Sequence, residues 1–302
     1  MENLDHPEFF SSVDTARTRL TERQRKMSGP PTSSPTEWPE PTPFTVGGYT
    51  HDCYEKGDGP GVVLLPELPG ITPEVLGLGD HLVTEGFTVA IPSLFGEPGQ
   101  PMTLARMAKA GAKVCISAEF RAFAVNTSRP VANFVRELAR DLASRCPGQG
   151  VGVIGMCVTG GFALAAAVDE SVLAPVLSQP SLPFPPIAGR RTDLGVSEEE
   201  LERVAERTQN DRLCVLGLRF TKDWMAPEQR FAALSACLGN AFKVIPLDSR
   251  RGNIGGFRRS AHAVLTHELR EDPDHPAFQA RAEVVAFLRH RLGVTKPEAM
   301  NP

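Results

Sequence analysis

The sequence lacks a concentrated block of lysine and arginine. Its formal charge is −4 over 302 residues, and basic pairs such as Arg190-Arg191, Arg250-Arg251 and Arg258-Arg259 are scattered. That distribution argues against nucleic acid as a partner. It also lacks any apolar run near the roughly 20 residues that cross a bilayer. The opening stretch MENLDHPEFF is acidic and does not follow the basic-then-apolar order of a secretory signal. A cytoplasmic location is the expectation. The six cysteines, at 53, 115, 146, 157, 214 and 237, include no C-x-x-C pair and no Cys/His spacing suited to zinc. In a reducing compartment five of them read as small buried hydrophobes. No metal or organic cofactor is implied.

Two regions divide the chain. Residues 1–44 form an arm, rich in proline from Ser28 to Pro41, unsuited to a helix or a ladder and expected to be partly disordered or laid on the surface. Residues 45–302, about 250 residues, suit one α/β domain. Within them, the short β-branched runs 61–66 and 87–92 read as buried strands, 151–155 as the next strand, 173–178 and 213–218 as later core strands, and 241–247 as the last. Between them lie helix-like stretches at 73–85, 131–146, 161–169 and 278–292. The alternation predicts a mostly parallel sheet with helices on both faces, its chemistry in loops beyond the carboxyl ends of the strands. The longer connection 183–212, with a capping box at Ser197–Glu200, reads as a partial lid or as a surface helix.

One turn carries the chemical signal. Gly155-Met156-Cys157-Val158-Thr159-Gly160-Gly161 falls between a predicted strand and a predicted helix, the context of a nucleophile elbow. There Cys157 would stand clear of its neighbours, the Val158 N–H would face the reacting atom, and the helix N-terminus would favour a thiolate. A buried cysteine packing a glycine-rich turn is the plainer alternative. Phosphate binding is disfavoured, because neither G-x-G-x-x-G nor G-K-[ST] occurs at this turn.

With Leu65-Pro66-Glu67-Leu68-Pro69-Gly70, the Cys157 turn and the residues after the later strands in view, the chain resembles the dienelactone hydrolase family over residues 45–292. The resemblance implies the α/β-hydrolase fold and a triad in the order Cys157, Asp223, His262. It places Glu67 beside the thiol as a switch, and the N–H groups of Leu68 and Val158 in an oxyanion hole. A turn or capping role is the alternative for Asp223, and helix capping for Glu67. Asp248 is the competitor for the carboxylate, and His267 for the base. Arg258 and Arg259 are candidates to hold a substrate carboxylate. Thr159, Ala263 and Val264 depart from the residues common in the family.

The expected activity is hydrolysis of a small ester or lactone through a thioester acyl-enzyme. The alternative is a non-catalytic relative that binds a ligand or protein partner in the same cleft. As to assembly, a monomer or a homodimer is expected.

Overall fold

The structure is a computed structural model that describes residues 29–116, 130–182, 190–211 and 213–294. In chain order it contains β1 (Thr42–Val46), β2 (Tyr49–Lys56), β3 (Gly61–Leu65), α1 (Pro73–Thr84), β4 (Thr88–Pro92), α2 (Leu104–Ile116) and α3 (Pro130–Arg145). These are followed by β5 (Val151–Met156), α4 (Gly160–Ala166), β6 (Val172–Ser178), α5 (Glu198–Asn210), β7 (Val215–Phe220), α6 (Glu228–Leu238), β8 (Phe242–Leu247) and α7 (Pro276–Leu292).

The strands form an eight-stranded sheet in the order β1-β2-β4-β3-β5-β6-β7-β8. From β4 to β8 every pairing is parallel, whereas β1 and β2 join antiparallel at one edge. Every residue of β3, β4, β5 and β7 is buried, whereas β8, at the edge of the sheet, leaves Lys243, Val244 and Pro246 exposed. Side chains from α3, α4, α5 and α6 make one core against the sheet, with Phe134, Ala163, Val204 and Leu234 inside it. Those of α1 and α7 make the other, including Val75 and Val284. This is the α/β-hydrolase arrangement expected from the sequence.

Local chemistry sets the helix boundaries. Thr72 caps α1 by accepting from the Val75 N–H at 3.4 Å, with Pro73 in the first turn where its missing N–H costs nothing. Ser197 and Glu200 close a reciprocal capping box on α5 at 3.1 and 3.0 Å. Gly293, at φ 73°, ends α7 in the left-handed region that glycine tolerates best.

The sheet begins at Thr42, within the segment read as an arm. The residues just before it pack on α1: Trp38 is buried, and the Ser33 N–H donates to Pro73 O at 3.0 Å. Residues 1–28 lie outside the described residues. So do 183–189, the start of the segment read as a partial lid. Its helix, α5, packs against α4 and α6 and sends buried Arg207 to the carbonyls of Ala167, Asp169 and Val172. Two helices, α2 and α6, were not expected from the sequence.

Candidate active site

Strand β5 runs straight into the turn that carries Cys157. That residue has φ 54°, a left-handed conformation strained for a side chain, costing about 1–3 kcal/mol. The turn is held from both sides. A Cβ on Gly155 would come within 2.3 Å of Thr159 O, and one on Gly160 within 2.6 Å of Pro180 Cβ. Glycine is therefore needed for the close approach of strand and helix.

Thr159, a departure from the family pattern, has a physical account. Its hydroxyl accepts from the Met156 N–H at 2.8 Å and lies 2.8 Å from Met156 O and 3.2 Å from Leu65 O. It thereby ties the ends of β3 and β5 together under the elbow.

Beyond β7, Asp223 is buried, and its Oδ1 accepts from the N–H groups of Met225 and Ala226 at 2.9 and 3.3 Å. Its Oδ2 lies 2.7 Å from His262 Nδ1, and because a carboxylate only accepts, Nδ1 carries the proton. The other ring nitrogen, Nε2, is buried. Burial acts to lower the His262 pKa, but its interactions with Cys157 and Asp223, through charge and hydrogen bonding, outweigh it and hold it well above the ordinary value. The structure thus brings Cys157, His262 and Asp223 into one cluster, and the sulfur also lies 3.0 Å from Ser181 Oγ.

The competitors sit elsewhere. Asp248 pairs with Arg250 on the surface, and hydrogen bonds from Arg250 pull its pKa down to about 2. His267 and His290 are exposed. His275 precedes α7 and binds Gly255 O through Nε2 at 3.2 Å. Cys53 contrasts with the elbow thiol: burial first, then Glu55 and Asp52, push its pKa to about 12.

Glu67 follows β3 and is almost wholly buried. Burial raises its pKa, against hydrogen bonds and charges that favour the anion. The expectation put this carboxylate beside the thiol. Its hydrogen bonds run instead to the Thr266 hydroxyl and to Gln179 Nε2, the latter at 3.1 Å. The next residue, Leu68, has a backbone N–H with no acceptor among the described residues, and Val158 follows Cys157 in the elbow. Arg258 and Arg259 are exposed in the loop that leads to His262.

Residues 47–190 match the model of the dienelactone hydrolase family. Over this stretch, a little under half of its length, the chain is similar to the dienelactone hydrolase family. The carboxymethylenebutenolidase of Rhodococcus opacus is 30% identical over 164 residues, covering 49% of this chain and 56% of the relative. The chain spans about half the length of the curated relatives it matches. Among solved structures, Est1E from Butyrivibrio proteoclasticus superposes with TM-score 0.53 at 14% identity, over 83% of this chain and 99% of Est1E. A puromycin hydrolase superposes with TM-score 0.54 at 18% identity, over 87% of this chain and 41% of that one. At these identities the two structures speak for the shared fold.

Near the elbow and the Leu68 turn, the sequence reading missed four polar residues. Gln179 and Ser181, on the turn after β6, are buried and touch Glu67 and Cys157. Arg106 and Lys109 of α2 line a cleft of about 240 Å³ beside Pro69 and Gly70, next to the Leu68 turn. No signature motif marks any of them. Among the described residues, no group of three or more His, Cys, Asp or Glu is placed to hold a metal ion. No helix there is long and apolar enough to cross a membrane.

Proposed function

We propose that the protein hydrolyses a carboxylic ester or lactone with Cys157 as nucleophile, His262 as acid and base, and Asp223 as the group that orients His262. One observation carries the reading. The 2.7 Å Asp223–His262 contact leaves a buried Nε2 within reach of a thiol held at positive φ. A nucleophile, a base and an orienting carboxylate in that relation are the recurring parts of acyl transfer.

In this scheme the Cys157 thiolate gives its electron pair to the carbonyl carbon, and the carbonyl oxygen becomes an oxyanion. The N–H groups of Leu68 and Val158 would receive it, each such donor being worth about 10²–10³ in rate. As the C–O bond breaks, the leaving alkoxide takes the proton from His262 Nε2, which leaves a thioester on Cys157. Neutral His262 then removes a proton from water, and the hydroxide attacks the thioester. The acid departs, and the imidazolium–thiolate pair is restored. The raised pKa of His262 suits the first half, because it keeps a proton available for the leaving group. The scheme calls for no metal or organic cofactor.

The name of the Rhodococcus relative describes an unsaturated lactone bearing a carboxymethylene group. By extension, a small lactone with a carboxylate is the substrate class proposed, with Arg258 and Arg259 near enough in sequence to His262 to hold that charge. The test compares wild type and Cys157→Ala on a panel of activated aryl esters and lactones. Turnover should fall by at least about 10⁴ with the fold unchanged, as when a triad nucleophile is removed. Equal rates would sink the assignment. A rival reading, ligand binding without catalysis, takes support from the Ser181 partner of the thiol, and absence of turnover in both proteins would favour it.

A further inference from the structure

The turn after β6 is built around the sulfur of Cys157. Ser181 is 5% exposed, and its hydroxyl lies 3.0 Å from Sγ. Its backbone N–H donates to Cys157 O at 2.9 Å, so the two residues are joined by main chain as well as side chain. Pro180 O accepts from Arg230 Nη1 at 2.8 Å, and the Gln179 N–H donates to Leu218 O at 2.7 Å. Three neighbouring elements thus determine where the hydroxyl stands, leaving its torsion little freedom. On its other side the sulfur faces the His262 ring, whose Nδ1 is taken by Asp223.

We propose that Ser181 is a positioning residue for Cys157: its hydroxyl donates to the sulfur, stabilises the thiolate, and holds it in place beside His262. The proposal rests on the reading of Cys157 as nucleophile, and it assigns to a serine the holding role that the resemblance assigns to Glu67. Glu67 is engaged by Thr266 and Gln179. The charged groups that act with the sulfur are His262, in the loop after β8, and Arg230 of α6, a buried guanidinium bonded only to carbonyl oxygens and sensing the sulfur's charge. When the electron pair of the sulfur goes to the substrate carbonyl carbon, the Ser181 hydrogen bond is given up and no other bond need break. A hydrogen bond to the charged form favours that form, so losing it makes the thiol a weaker acid.

The experiment reads carbamidomethylation of Cys157 by iodoacetamide across pH 4–9 (followed by mass spectrometry of the peptide that carries it), in wild type, Ser181→Ala and Ser181→Gly. Both variants keep the backbone N–H that binds Cys157 O. Exposed Cys237 in the same sample serves as the reference for reagent and fold. The expected result is an upward shift of about one pH unit in the midpoint for Cys157 in both variants, with Cys237 unmoved. An unchanged or lowered midpoint overturns the proposal, and so does an equal shift at Cys237. Alkylation needs no substrate, so a failed ester panel would sink the hydrolytic reading without touching this result.

Discussion

The ends of β5 and β6 lie side by side in the sheet and solve the same problem by different means. Each places a non-glycine residue at positive φ, Cys157 at 54° and Gln179 at 37°. At β5 the strain is accommodated by the small neighbours Gly155 and Gly160, which let strand, helix and the Pro180 segment close in. At β6 it is held by bonds. The Gln179 N–H reaches Leu218 O, its amide donates to Glu67, and its Oε1 accepts from the Val264 N–H at 3.3 Å and from the Ser178 hydroxyl. The first solution leaves a side chain free for chemistry. The second uses up the side chain to join β3, β6 and the loop bearing His262. A strained position made by steric permission is legible as a glycine pattern, whereas one made by partners is not.

Substituting Gly155 by Ala should have the largest effect of the three that follow. The new Cβ meets backbone at 2.3 Å and Ala163 Cβ at 2.8 Å, neither the far end of a flexible side chain. A loss of about 3 kcal/mol or more is expected by urea denaturation, with the Cys157 thiol displaced and any turnover lost. A variant as stable as wild type would mean the elbow does not depend on close approach.

Gln179→Ala tests the other solution. It removes one of the two hydrogen bonds of the Glu67 carboxyl, leaves the Val264 N–H without its acceptor, and leaves positive φ on a residue with no side-chain bonds. A loss of about 1–3 kcal/mol should follow. Replacement by Glu, which keeps shape but not the donor, should recover little of it. A change below about 0.5 kcal/mol for Ala would place the β6 turn under main-chain control alone.

The smallest effect is expected at Glu67→Gln, and its sign is opposite. Burial raises the folded pKa of Glu67 above the unfolded carboxylate value. The contribution of that group to stability is therefore full below the unfolded pKa and is lost as pH rises toward the folded one. Glutamine does not titrate. Relative to wild type, the variant should gain stability as pH rises above the ordinary carboxylate range. A gap between the two proteins that stays constant with pH would show that the carboxyl is not held back from ionising.

The sequence determined more of the sheet than of the site's interior. Runs such as Val62 to Leu65 and Val151 to Met156 are apolar without alternation because both faces of a central strand are covered, and that pattern is local. β2 does not have it: its exposure alternates only loosely along Tyr49–Lys56, as at a half-open antiparallel edge, and with β1 it carried no such signal. Asp223 and His262 were legible by their order after later strands, and the 2.7 Å contact between them follows from where β7 and β8 end.

What only the tertiary structure decided is the company each polar group keeps. Glu67, Gln179, Ser181 and Thr266 come from segments as much as 199 residues apart, and each is an unremarkable polar residue in its own stretch. A glycine elbow is written in consecutive residues because it meets a steric demand of its own backbone. A buried hydrogen-bond partner is chosen by whichever chain segment the packed sheet brings within 3 Å, and that choice exists only once the strands have paired.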